Sequence, residues 1–391
     1  MSFDKFFDAP KFDEKKEKEE FIKSMNFLRS MTVEEQTFYK KWYEIQHNYK
    51  SYHNKAGILK ANVWRPTNIL DRKKTISEIQ NLNPVWRFIP PEDTKGVEDW
   101  TLLRVFVSSF NFDQNPGRFL RFLLIDENTN SYLGIASLAS DVINIACRDN
   151  WIGWTNDQRR SGMLNYTAIG STIVSTQPFG YNFLGGKLIA SMLCSKFIKD
   201  IWEQSYNQKL IGITTTSLYG SHSMYQRIPF WKELGKTTGK IPIKPDYNFY
   251  EKWHKIVKEK YPEMYKEMVW NDNGGPATGV KQKIVNVIFK EVGLKPNQYI
   301  HGFERGVYFA PLYENFKEFL RKEISEDKLI PSHKLLHDRN DILNWWKEKA
   351  IRRYENLLID GRINAEVLFY NSLISMSWNE AKKTYLHEVG R

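Results

Sequence analysis

Between Cys147 and Arg160 the chain reads CRDNWIGWTNDQRR, with two tryptophans, two acids and three arginines in one short stretch. Such residues suit a nucleic-acid substrate. Trp151 and Trp154 could stack an extruded base, Arg148, Arg159 and Arg160 could meet the nucleic acid, the last two on phosphate, and Asp149 could serve as a base. The same letters also fit an Arg148–Asp149 ion pair, core tryptophans and a solvated arginine doublet. A second set lies in YGSHSMYQR, where Tyr225 could give up a proton, His222 could relay one and Ser223 stands between them. The alternative there is a helix cap beside a packed aromatic. A third lies in YNFLGGK, residues 181–187. A strand, a glycine turn and a helix start can aim backbone N–H groups at an anion. Gly185 and Gly186 would let it approach and Lys187 would add charge, unless the turn is only a tight corner.

Other patterns are weaker. The glycine turn is neither G-x-x-x-x-G-K-[ST] nor G-x-G-x-x-G, and GSHSM is not G-x-S-x-G. His333 and His337 stand one helical turn apart, without the glutamate of H-E-x-x-H or a third ligand nearby, so no metal is expected. NDNGGPATGVKQK resembles a loop feeding a basic helix, which could lie along a phosphate backbone through Lys281 and Lys283 or be a plain connector.

The elements that must position these residues change character along the chain. Residues 13–50 are charged, with Phe21, Met25, Leu28, Phe38, Trp42 and Ile45 at helical spacing, and Thr32 with Glu35 reads as a capping box. A short helix after RPTN, a proline-rich break at NPVWRFIPPED and a helix in VEDWTLLRVFVSSFNF follow. RFLRFLLID and SYLGIASLAS around ENTN predict a hairpin. YTAIGSTIVSTQPF predicts a third strand, followed by one helix from the glycine turn to about Tyr206. KLIGITTTSLYG predicts a buried strand, and SHSMYQRIPFWKELG a short helix running into another. RGVYFAPLYENFKEFL reads as a strand turning into a helix. The rest beyond Pro245 is mainly helical.

The 391 residues carry a formal charge of +11, with 41% hydrophobic and 15% aromatic residues, enough for a packed core and a polyanionic partner. Basic letters concentrate at Arg159–Arg160, KTTGKIPIK (236–244) and WKEKAIRR (346–353), each of which also reads as a solvated face. No apolar run is long enough to span a membrane, and the N-terminus shows no secretory signal. Cys147 and Cys194 read as thiols of a reducing compartment, so the expected location is cytoplasmic, in a bacterial or phage-infected cell.

YGSHSMYQRIPFWKELG resembles the segment that ends the core of GNAT-type N-acetyltransferases. In that superfamily a splayed central strand and the loop after it hold the pantetheine and pyrophosphate of acyl-CoA, and a later tyrosine often protonates the departing thiolate. The resemblance implies TIVSTQP as the splayed strand and Asn182, Gly185, Gly186 and Lys187 as the pyrophosphate loop. It implies Tyr225 as the acid and Leu234–Gly235 as the start of the last strand. The usual loop reads Gln/Arg-x-x-Gly-x-Gly/Ala, and Asn182-x-x-Gly185-Gly186-Lys187 departs from it.

A longer resemblance covers about residues 65–325. YLGIASLASDV, ACRDNWIGW, NFLGGKLIASML, LYGSHSMYQR, ELGKTTGK and RGVYFAPLYENFKEFL resemble, in order, segments of DruA-like proteins, the Druantia anti-phage family and its phage and mobile-element relatives. A GNAT-like core would add kinship with phage Mom-type proteins, which modify adenine in DNA.

The expected fold is α/β: a GNAT-like mixed-sheet core over residues 100–240, an N-terminal helical extension over 1–99, and a mainly helical region over 241–391 with a strand near 306–311. The expected function is group transfer from an acyl-CoA-type donor to a DNA base. The alternative is a non-catalytic DNA- or RNA-binding component of a defence or counter-defence system. Nucleic acid, DNA before RNA, is the expected partner, and a protein could meet the terminal helices.

Overall fold

The computed structural model describes residues 14–110, 117–217, 223–270, 279–302, 304–332 and 338–388. The first part carries α1 (Glu14–Ser30), α2 (Val33–Asn48), α3 (His53–Ala61), α4 (Arg72–Asn81), β1 (Pro84–Ile89) and α5 (Thr94–Val107). Then come β2 (Phe119–Asp126), β3 (Ser131–Ser140), α6 (Ala146–Ile152), α7 (Asn156–Arg160) and β4 (Thr167–Ser175). α8 (Phe179–Phe183), α9 (Gly185–Met192), α10 (Lys196–Tyr206), β5 (Gly212–Ser217) and β6 (Lys232–Lys236) follow. β7 (Lys240–Pro242), α11 (Tyr247–Lys260), α12 (Pro262–Val269), α13 (Val280–Glu291) and β8 (Ile300–Gly302) come next. The chain ends with β9 (Gly306–Pro311), α14 (Phe316–Leu320), α15 (Arg339–Ile359) and α16 (Trp378–Tyr385).

Contacts divide the chain into two compact units, Met1–Gln36 with Gly239–Phe303, and Thr37–Thr238 with Glu304–Arg391. In the first, Phe21 of α1 sits edge-on to Phe249 and Trp253 of α11 and Phe289 of α13, and β7 pairs antiparallel with β8. Thr32 and Glu35 form the expected capping box, each side chain bonded to the other's backbone N–H.

The second unit is built on a seven-stranded mixed sheet in the order β1-β2-β3-β4-β5-β9-β6, flanked by helices. Along β2, Leu120, Phe122 and Leu124 join one apolar cluster, while Phe119 and Leu123 join another on the opposite face. The two-residue period of a strand forces this alternation, and with both faces apolar the sheet must be covered on both sides. Burial of each such side chain contributes about 1.5–3 kcal/mol.

The β2–β3 hairpin forms as the ENTN turn predicts. β1 is a strand where the prolines suggested only a break: it pairs with β2 from Pro84 to Ile89, at the sheet edge, where a proline lacking an N–H is tolerated. The helix after the glycine turn is divided, because Ser195 takes an extended backbone and starts α10 anew. The described part of SHSMYQRIPFWKELG is a set of turns leading into β6, not a helix.

β4 and β5 are parallel and paired at Thr167–Gly212, Ala168–Ile213 and Ile169–Thr214. Beyond that, β4 continues against β3 to Ser175 and β5 against β9 to Ser217, so the two strands part company from Gly170 onward. The fork is the feature around which the candidate residues gather. Among the described residues, no helix is long and apolar enough to cross a membrane.

Candidate functional site

At the closed end of the fork, Asp141 accepts from Thr167 Oγ1 of β4 at 2.7 Å and Thr214 Oγ1 of β5 at 2.8 Å. Its other oxygen is ion-paired at 2.8 Å with Arg148, which is wholly buried. Arg148 in turn donates from Nε (2.9 Å) and Nη2 (2.7 Å) to Asp149 Oδ1. Asp149 Oδ2 accepts from Ile145 N and meets Arg159 Nη1 at 3.3 Å. Both oxygens of the candidate base are thus taken up inside a charge network that ties α6 and α7 to the strand pair. Trp154 is buried, with Nε1 donating to Leu320 O, and Arg148 lies over its ring. Trp151 is half-buried between Phe309 and Phe316, with Lys317 Nζ 4.2 Å from its ring centroid. Arg160 is exposed. The stretch with the densest chemical lettering supplies mostly a buried ion network, since charges inside a core persist only when paired and hydrogen-bonded.

The glycine turn is closely packed. Leu184, not a glycine, takes the left-handed backbone between α8 and α9, at φ 56°. Gly185 is needed for close packing: a Cβ there would come within 2.4 Å of the Phe179 ring. A Cβ on Gly186 would come within 2.8 Å of Met224 Sδ. Four N–H groups of the segment are spent locally, Gly180 on Thr176 O, Tyr181 on Gln177 Oε1, Asn182 on Pro178 O and Lys187 on Leu184 O, while Gly185 and Gly186 open α9. The Asn182 side chain donates to Pro178 O and Asn364 O and accepts from Asn364 N. Both glycines are thus called for by packing against neighbouring side chains.

What the turn does present is cations. Lys187 Nζ donates to Met224 O at 2.9 Å and to Gln226 O. Burial draws its pKa down to about 8, and the two charges that lower it further are both positive, Arg227 and Lys349. Arg227 is exposed and has a left-handed backbone, φ 61°, a conformation disfavoured for a residue with a side chain. α15 packs on α8 through Trp346, whose Nε1 donates to Phe183 O, and through Tyr354 against the Phe183 ring. That packing brings Arg353 over the exposed ring of Tyr181, 5.2 Å from its centroid. Lys349 and Arg353 stand one helical turn apart on α15. Sequence reading noted their basic run as a solvated face and had no signal for Arg227.

Tyr225 lies at the fork. It is buried, and its hydroxyl is 3.5 Å from Thr215 Oγ1, which itself donates to Gly170 O, just past the last paired residues. Burial raises its pKa well above the usual tyrosine range and keeps the phenol protonated. Ser223 Oγ accepts from Tyr225 N at 3.2 Å. His222, His333, His337 and residues 271–278 lie outside the described residues. Lys281 and Lys283 belong to α13 of the other unit, where Lys281 sits over the Tyr250 ring.

Comparison with known proteins gives consistent matches. Residues 44–322 match the family model described as DruA, "Druantia protein DruA". The chain is 30% identical over 290 residues to "Druantia protein DruA" of Escherichia coli (strain UMEA 4076-1), covering 68% of this chain and 69% of that one. No solved structure matches it.

Proposed function

The chain belongs to the DruA family, and from that premise we propose that it is a nucleic-acid-binding component of an anti-phage defence or counter-defence system. The observation that carries this reading is the convergence of Lys187, Arg227 and Lys349 on the glycine turn. Clustered cations beside the exposed Tyr181 suit a phosphate backbone, whose binding releases counterions. The excess positive charge of the whole chain favours encounter with it.

A second reading, group transfer from an acyl-CoA-type donor on a GNAT-like core, has the fork and the Tyr225 phenol in its favour. Against it stands the departure of Asn182-x-x-Gly185-Gly186-Lys187 from the usual pyrophosphate loop.

Fluorescence anisotropy with labelled duplex and single-stranded DNA over a salt series tests the first reading. Replacing Arg227, Lys349 and Arg353 together by glutamine should weaken binding to all sequences alike. The same change should flatten the salt slope by roughly 0.9 for each phosphate that is no longer neutralised. Absence of DNA binding at low salt would refute it. Thermal stabilisation by acetyl-CoA, without stabilisation by DNA, would put the transferase reading in its place.

A further inference from the structure

Phe38, Lys41 and Ile45 share one face of α2, and all three side chains are fully buried. Lys41 is therefore an amine at a core position. Among the described residues its Nζ has no hydrogen-bond partner, and it lies 5.8 Å from the ring centroid of Tyr370. Two charges act on it, Glu44 one turn along α2 and Arg104 of α5. Arg104 is itself buried, donating to Thr172 Oγ1 of β4 at 3.3 Å and to Phe110 O at 3.0 Å.

An ammonium held in such a place without an acceptor gives up its proton, and burial draws the Lys41 pKa down to about 7. An uncharged amine in dry surroundings is a nucleophile. Whatever reacts with it must enter a close-packed interior, which an ion does only at a large desolvation cost. Carbon dioxide is small and uncharged, and its adduct carries the negative charge that the Arg104 guanidinium would stabilise.

We propose that Lys41 is a carbamylation site that takes carbon dioxide. The Nζ lone pair adds to the carbon, a C–O π pair moves onto oxygen, and one N-bound proton passes to solvent, leaving an N-carboxylated lysine. Nothing is oxidised or reduced. Arg104 supports the new anion and Glu44 opposes it, so occupancy depends on Arg104.

The full chain equilibrated with 13C-labelled bicarbonate should show a carbamate carbonyl resonance by NMR that is absent from Lys41→Met. Any carbamate on the N-terminal amine stays in both spectra and cancels. Arg104→Met should lower occupancy roughly tenfold or more, because one favourable charge interaction is removed. A full chain that gives no resonance at saturating bicarbonate, or one shared equally with Lys41→Met, overturns the proposal. Full occupancy in Arg104→Met would overturn the role given to that arginine.

Discussion

Replacing Lys41 by methionine removes an amine that makes no hydrogen bond among the described residues and keeps an unbranched side chain in the same space. The cost that disappears is that of deprotonating the lysine or burying its charge. The interval from its ordinary 10.5 to about 7, at about 1.4 kcal/mol per pH unit, comes to roughly 5 kcal/mol. The folded pKa is depressed, so the unfolded chain holds the extra proton between about pH 7 and 10.5, and the parent protein gains stability as pH rises through that window. Lys41→Met should therefore be the more stable protein by up to roughly 5 kcal/mol at or below about pH 7. The gap should close by about pH 10.5. Parallel unfolding of the two proteins across that range, in buffer freed of carbon dioxide, measures the difference at each pH. A gap that does not narrow with rising pH, or a less stable variant at neutral pH, would refute the account of Lys41 as a buried, unpartnered amine.

Other changes test the site directly. Gly185→Ala should destabilise by about 1–3 kcal/mol in thermal unfolding, because its new Cβ meets the Phe179 ring, which is pinned between Trp64 and Trp346. Asp141→Asn weakens the pairing of the buried Arg148 at the closed end of the fork. It should cost about 3–5 kcal/mol, read by the same melts, with Arg160→Gln as a near-neutral comparison. Tyr225→Phe removes only a hydroxyl at the far limit of hydrogen-bond reach of Thr215, so stability should fall by less than about 1 kcal/mol. Under the binding reading phage protection persists in that variant, and its disappearance from a folded protein would favour the transferase.

Much of the architecture was legible as pattern. The hairpin, the strands at 167–175, 212–217 and 306–311 and the Thr32–Glu35 cap all rest on contacts between residues close in sequence or on a period of two or 3.6. β1 was hidden because its prolines argue against a strand until the partner at the sheet edge is known. The Cys147–Arg160 stretch read equally as a substrate wall or as an ion pair with core tryptophans, because sequence lists residue types without their burial. Asp149 and Arg148 spend their charges on each other, and Trp154 its indole N–H on a backbone carbonyl.

The amino-acid sequence by itself determined many of the elements, the α/β class and the family, since local periodicity and motif order are carried by the chain alone. Only the tertiary structure decided which charges are paired and which meet. It packed the glycine turn against Phe179 and Met224 and set Lys349 and Arg353 beside it from more than a hundred and fifty residues away. It also placed Lys41 in the core without an acceptor among the described residues. Charge and hydrogen bonding depend on distance and dielectric in space, and neither can be read from spacing along a chain.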